Sequence, residues 1–465
     1  MSLTAQHREA PGPGTLWAAA LGGAATVALA LATPIGPLAA LGAAILVLSA
    51  LRPWWGVLTC VAVSLAMHAD AMMAYRLTAL GFSIYPPDAV GLATALGLGL
   101  SRVLGVSWGG AARLSRPLLL WLVYCYLMCG FALLRGLEPR EVLADWRPFG
   151  HYAVALVIPA MLVSPARMRS LIWTLLVSSA FGSAYGIFHS LHNEQAKFYE
   201  INLGFARLTG GSEGVYAPMV CFGVAVLTLS RSRSLRAFAA AQLVLSGTAT
   251  VLTYSRGAWL GTLAGLLVLG LVVMGRRPGR LLPVAFWVGV ASVLVVKVLE
   301  WQGVPVVQGI VARGKETGGT RDIALLHRFV EYQTVWRAFL SNPVLGAGPG
   351  TLFHYFMPGM GWVSSSYTHN SFFYIAAKWG LLGLGLYLNF FVRFLWRAAR
   401  AVRAERLDDR TVLLAGLLAT VVALTGKSLS SWFLNIFHVS LWLGVMLGTL
   451  DALARPEPEL PREIR

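Results

Sequence analysis

Charge is scarce in this sequence. Only 12% of its 465 residues are Asp, Glu, Lys or Arg, where a soluble domain carries about 25%. With 57% hydrophobic residues and a mean hydropathy of +0.67, that scarcity excludes a soluble globular chain. Cysteine is also rare. Cys60, Cys125, Cys129 and Cys221 all lie in apolar runs, without the spacing of a disulfide framework or a metal site. No phosphate-binding loop is present: "LTGKSLS" at 424–430 contains Gly-Lys-Ser but lacks the glycine four residues earlier. Glycine pairs such as "GGAARLS" have no strand before them to build a dinucleotide fold. No cofactor is therefore expected, neither metal nor nucleotide. The formal net charge of +17 resides largely in short basic loops. It reads as a membrane topology signal, and no nucleic-acid partner is expected.

What the chain has in abundance is apolar runs. They lie at about 16–32, 36–51, 54–68, 88–105, 117–134, 150–164, 170–189, 214–230, 236–254, 257–274, 281–299, 371–395, 411–427 and 433–453. A helix needs about 20 mostly apolar residues to cross the hydrocarbon, and its backbone must satisfy itself there. The expected fold is all-α, a polytopic membrane bundle of about 12–14 transmembrane helices surrounded by membrane lipids. Basic connections at 102–116, 165–169, 231–236, 275–280 and 397–410 all fall on one side of such a bundle, together with both termini. By the positive-inside rule that side is cytoplasmic. Segments 69–87, 135–149, 190–213 and 300–370 are then external. The expected organisation is a bundle over 1–299, an external region with helices over 300–370, further spans over 371–453 and a cytoplasmic tail over 454–465. The N-terminus has no basic region leading to a cleavage site, so its first apolar run reads as the first span.

External arginines run against the topology rule, so they are candidates for function. Arg256, in "LTYSRGAWLG", lies at an outer turn where a helix begins. It either snorkels to headgroups or holds an anion with the free N–H groups of that helix start. Arg207, in "GFARLTGGSEGVYAP", also precedes a helix, beside glycines that permit close backbone approach. From Arg321 to Phe339 the spacing is helical, and "NPVLGAGPG" then turns the chain back. Arg321, Arg328 and Glu331 share nearly one face of that helix, as a solvated charged face or an arginine face over a membrane opening. His369 stands at the entrance to the next apolar run, between Thr368 and Asn370, and either Asn370 or Ser371 is placed to cap that helix. Imidazole is the usual general base near neutral pH.

These residues resemble a known family. His369, Asn370, nine residues, Gly380, two leucines and Gly383 resemble the signature of bacterial O-antigen ligases. The turn "YSRGAWLG" and the segment ending in "NPVLGAGPG" resemble the wider family of O-antigen ligases, O-antigen polymerases and protein O-oligosaccharyltransferases. The resemblance covers roughly 250–390, in order and topology. It implies transfer of O-antigen from undecaprenyl pyrophosphate to lipid A-core oligosaccharide at the periplasmic face of the bacterial inner membrane, with no metal and no ATP. It also implies His369 as general base, Arg256 with Arg328 or Arg321 on the diphosphate, and Asn370 and Gly380 in support. Arg207 joins the diphosphate set as a weaker candidate. Displacement of the pyrophosphate by an acceptor hydroxyl from the opposite face would invert the sugar. A polymerase or protein-glycosylating enzyme would share the donor and differ in acceptor. A lipid-linked glycan transporter also suits intramembrane arginines, but the related halves common in transporters are absent from the sequence.

Overall fold

A computed structural model describes residues 36–67, 77–79, 82–108, 115–192, 213–275, 278–301, 303, 306–316, 323–357, 361–404 and 408–455. Within them the architecture is helical. The first part runs α1 Gly36–Leu51, α2 Pro53–Ala66, a small hairpin of β1 Leu77–Ala79 and β2 Phe82–Ile84, α3 Pro86–Val103, α4 Arg116–Leu134 and α5 Pro139–His151. Then come α6 Ile158–Met161, α7 Pro165–His192, α8 Glu213–Leu229, α9 Arg233–Leu252, α10 Arg256–Met274 and α11 Pro278–Trp301. The remainder is α12 Val306–Glu316, α13 Ile323–Ser341, β3 Phe353–Met357, β4 Gly361–Ser365, α14 Ser371–Ala404, α15 Asp409–Ser428 and α16 Phe437–Leu453.

Six of the described helices are long and apolar enough to cross a membrane: α4, α7, α9, α10, α14 and α15. Four shorter apolar helices lie over Leu41–Leu51, Pro53–Ala66, Gly214–Leu229 and Val439–Leu453. The protein is an all-α, multi-pass membrane chain. The apolar run at 16–32 lies outside the described residues. The run at 150–164 forms a broken passage, a 3-10 turn over Tyr152–Leu156 and the four-residue α6. Pro159 contributes to the break, because it cannot donate back to the Ala155 carbonyl and so continue a helix from the preceding turn, whereas Pro148 is accommodated inside α5.

Glycine spacing decides which helix is central. Gly257, Gly261 and Gly265 recur every four residues along one face of α10. A Cβ at Gly261 would come within 2.4 Å of the Ala423 carbonyl, and one at Gly265 within 2.5 Å of the Ala419 carbonyl. Such small residues let helix backbones approach closely in lipid, where apolar burial alone does not drive association. The opposite face of α10 exposes Leu260, Leu263, Leu267 and Leu271. Hence α15 is mostly enclosed while α10 is mostly open. A second nucleus is aromatic. Trp121 packs edge-on to Phe149, Trp379 and Tyr387, with ring centroids 5.2–5.9 Å apart, joining α4, α5 and α14.

Candidate active site

Helix α13 carries a single acidic residue, Glu331. It is not on a solvated charged face: it is 1% exposed. The buried face of α13 pairs Glu331 with Val335, one turn on, against β3 residues Phe353 and Tyr355. A carboxylate so enclosed must be hydrogen-bonded, and its partner is His369. The His369 peptide N–H donates to Glu331 Oε1 at 2.5 Å, and the ring Nδ1 lies 2.6 Å from Oε2. Both carboxylate oxygens thus hold one residue, by its backbone and by its ring. A carboxylate accepts only, so Nδ1 carries the shared hydrogen, and in the neutral ring Nε2 then keeps its lone pair. Among the described residues no hydrogen bond engages Nε2, and 37% of the side chain remains exposed.

Neighbouring groups fix this pair. The Tyr332 hydroxyl donates to the His369 carbonyl at 2.9 Å. Burial raises the Tyr332 pKa, with Arg328 pulling down and Glu331 pushing up, so the phenol stays protonated and available to donate. Burial and then the Glu331 charge push the Tyr355 phenol up to about 12. Tyr367 meets the His369 ring edge-on at 5.9 Å and stacks on Trp432 at 4.4 Å. Arg328 sits one turn before Glu331 and is half-buried.

The start of α14 is set by Asn370, whose Oδ1 accepts from the Phe372 and Phe373 N–H groups at 2.9 and 3.0 Å. Asn370 is therefore the cap, and its Nδ2 donates to the Leu429 carbonyl at 3.0 Å. Ser371 N–H donates to the Ser431 carbonyl at 3.1 Å. The end of α15 is thereby pinned beside His369. That same end reaches Arg256: Lys427 Nζ donates to Ser255 Oγ at 2.6 Å, and a Cβ at Gly257 would fall 2.2 Å from Ser430 Oγ. Ser255 caps α10, and Arg256 is its first residue. Tyr254 just before it has φ 47°, the one positive value at a described non-glycine residue. A buried tyrosine in that conformation is strained, and such strain gathers at functional turns.

Gly380 supports the site from below rather than touching it. It breaks α14 with φ 70° and ψ −176°. The turn after α13 docks into this break: Leu381 N–H donates to the Pro343 carbonyl at 2.8 Å and Gly348 N–H to the Lys378 carbonyl at 3.0 Å. A Cβ at Gly380 would sit 2.1 Å from the Val344 carbonyl oxygen. The two glycine-bearing motifs are thus one interlock that holds α13 against α14. Beneath it Lys378, fully buried, donates to Asp145 at 2.5 Å and to the Ser366 carbonyl at 2.5 Å. Asp145 also accepts from Tyr374 at 2.7 Å and from Gly350 N–H at 2.6 Å.

The structure therefore brings His369 and Asn370 together with Glu331, leaves Arg328 one turn away on α13, and links the pair to the Arg256 turn through the end of α15. Arg207 and Arg321 lie outside the described residues. Sequence reasoning missed two participants, Glu331 as partner of the histidine and Lys427 as partner of the arginine turn. The one carboxylate on α13 was the available signal for the first. For the second there was none, since Gly-Lys-Ser fails as a phosphate loop and the contact spans |i−j| = 172. Among the described residues no three His, Cys, Asp or Glu side chains converge to hold a metal ion.

Residues 241–388 match the family model described as O-antigen ligase. That span contains Arg256, Arg328, Glu331, His369, Asn370 and Gly380. The chain has no match among the curated proteins.

Proposed function

From the O-antigen ligase domain at residues 241–388, we propose that this membrane protein transfers a glycan from undecaprenyl pyrophosphate to the sugar core of lipid A, at the periplasmic face of the inner membrane. The observation that carries this reading is the buried Glu331 carboxylate holding His369 by Nδ1 and by its peptide N–H. A histidine held so has a fixed tautomer and orientation, the requirement for a general base acting through the other nitrogen.

The donor brings its own leaving group, so no nucleotide is consumed. His369 Nε2 takes the proton from the acceptor hydroxyl as its oxygen attacks the anomeric carbon. The bond from that carbon to the pyrophosphate oxygen breaks on the opposite face, and the configuration inverts. Negative charge then grows on the diphosphate. Arg256, with the N–H groups at the start of α10, and Arg328 on α13 receive it, because guanidinium geometry matches phosphate oxygens. Arg321 and Arg207 remain further candidates for the same role. Lys427 holds Ser255 and so fixes the turn that presents Arg256.

The test is transfer by purified protein in detergent, given undecaprenyl-pyrophosphate-linked glycan and lipid A-core, without ATP and with EDTA. Wild type is expected to label lipid A-core, and His369→Ala to do so about 10²–10⁴-fold more slowly while unfolding at the same temperature. Equal rates would discard His369 as the base. A product extended on the lipid-linked donor would make the enzyme a polymerase.

A further inference from the structure

At the far end of α14 from His369, the bundle encloses a cationic pocket that the transfer reaction does not use. From Gly380 to Arg397 the helix rises about 26 Å, close to the roughly 30 Å of a bilayer's hydrocarbon, so the pocket belongs to the opposite membrane face. It is a cavity of about 560 Å³ lined by Ser115, Arg116, Arg393, Arg397 and Arg455. Four arginines line it, and two of them share the Asp451 carboxylate, Arg397 at 3.1 Å and Arg455. Arg393 and Arg397 are four residues apart on one helix face, where like charges repel. Among the described residues no hydrogen bond or ion pair engages Arg116 or Arg393.

Two further features aim at an anion. Arg116 is the first residue of α4, a helix of 19 residues whose cap Ser115 makes no side-chain capping bond. Ser115 lines the pocket, and its buried hydroxyl has no partner among the described residues. A buried hydroxyl costs free energy unless it is hydrogen-bonded, and a phosphate oxygen would satisfy it together with the N–H groups that the start of α4 leaves free on either side of Pro117, which has none.

The surroundings point to a lipid as the source of the phosphate. Trp396, 58% exposed and adjacent to Arg397, has the position of an interfacial aromatic anchor. Leu119, Leu120 and Val392 expose apolar side chains next to the cations, where lipid chains would lie. Basic pockets between transmembrane helices at the cytoplasmic face suit acidic headgroups. We infer that this pocket binds the phosphate headgroup of an acidic membrane lipid, at a site separate from the glycan-transfer centre.

The experiment uses the full chain in phosphatidylcholine nanodiscs, with and without cardiolipin, and reads retained lipid by native mass spectrometry. Wild type is expected to retain cardiolipin over phosphatidylcholine. The Arg116→Gln/Arg393→Gln double variant removes two cations that the described fold does not pair, and is expected to retain it about 30-fold less well. Its unfolding temperature in phosphatidylcholine alone should equal that of wild type. Should the double variant fold poorly, Arg393→Gln alone is read in the same way, with about a fivefold loss expected. Equal retention by wild type and variant overturns the proposal. So does displacement of cardiolipin by millimolar inorganic phosphate, which would mark a site for free anions.

Discussion

Two carboxylates meet two nitrogen bases near the start of α14, nine residues apart along the chain, and they differ in what is left over. Asp145 and Lys378 are enclosed, and the pair is held by Tyr374, the Gly350 N–H and the Ser366 carbonyl. Glu331 is as deeply buried, but its partner is not. His369 gives Nδ1 and its backbone to the carboxylate and keeps an open edge. A pair enclosed on every side can only hold helices together. A pair with one nitrogen held and the other open can move a proton.

The comparison is sharpest where the two pairs are broken. Lys378→Ala strands Asp145 in the core and is expected to cost about 3–5 kcal/mol of stability. Thermal unfolding would show this as an early transition, with activity lost only as folded protein is lost. If Lys378→Ala unfolds like wild type but transfers nothing, the division between a holding pair and a working pair fails. Glu331→Gln is expected to behave in the opposite way. Its amide turns a donor toward the ring, so Nδ1 must accept and Nε2 carries the hydrogen. A drop of roughly 10²-fold in kcat with donor KM unchanged is expected, since a wrong tautomer disables the base without removing binding groups. A raised KM at normal kcat would instead place Glu331 in donor binding. The smallest effect belongs to Lys427→Met, which frees Ser255 and loosens the turn bearing Arg256. Donor KM should rise about three- to tenfold with kcat little changed, and no rise would detach Lys427 from the site.

Much of the candidate site was legible along the chain because its motifs are local. Asn370 or Ser371 reads as a helix cap from its place before an apolar run, and it is Asn370 that caps α14. The "NPVLGAGPG" turn reads as a stop, and it stops α13. Gly380 belonged to the signature, but its reason lies in the docked turn whose carbonyl leaves no room for a Cβ. Glu331 was read with Arg321 and Arg328 as one charged face. Helical periodicity tells which residues share a face, but not what that face meets. The β3–β4 hairpin, paired from Phe353 with Ser365 to Met357 with Gly361, was not anticipated within a helical chain. Its alternation is short and lies among glycines that blur it.

The sequence by itself determined the membrane character, the helical class and the entry point of His369 into a span. These follow from hydrophobicity, charge scarcity and capping, which act over a few residues. Only the tertiary structure decided that Glu331 holds His369, that Lys427 holds the Arg256 turn, and that four arginines share one pocket across the bundle. Each of those joins residues on different helices, and a pattern of spacing carries no information about which helices become neighbours. Close packing supplies it, through the glycine faces of α10 and the interlock at Gly380.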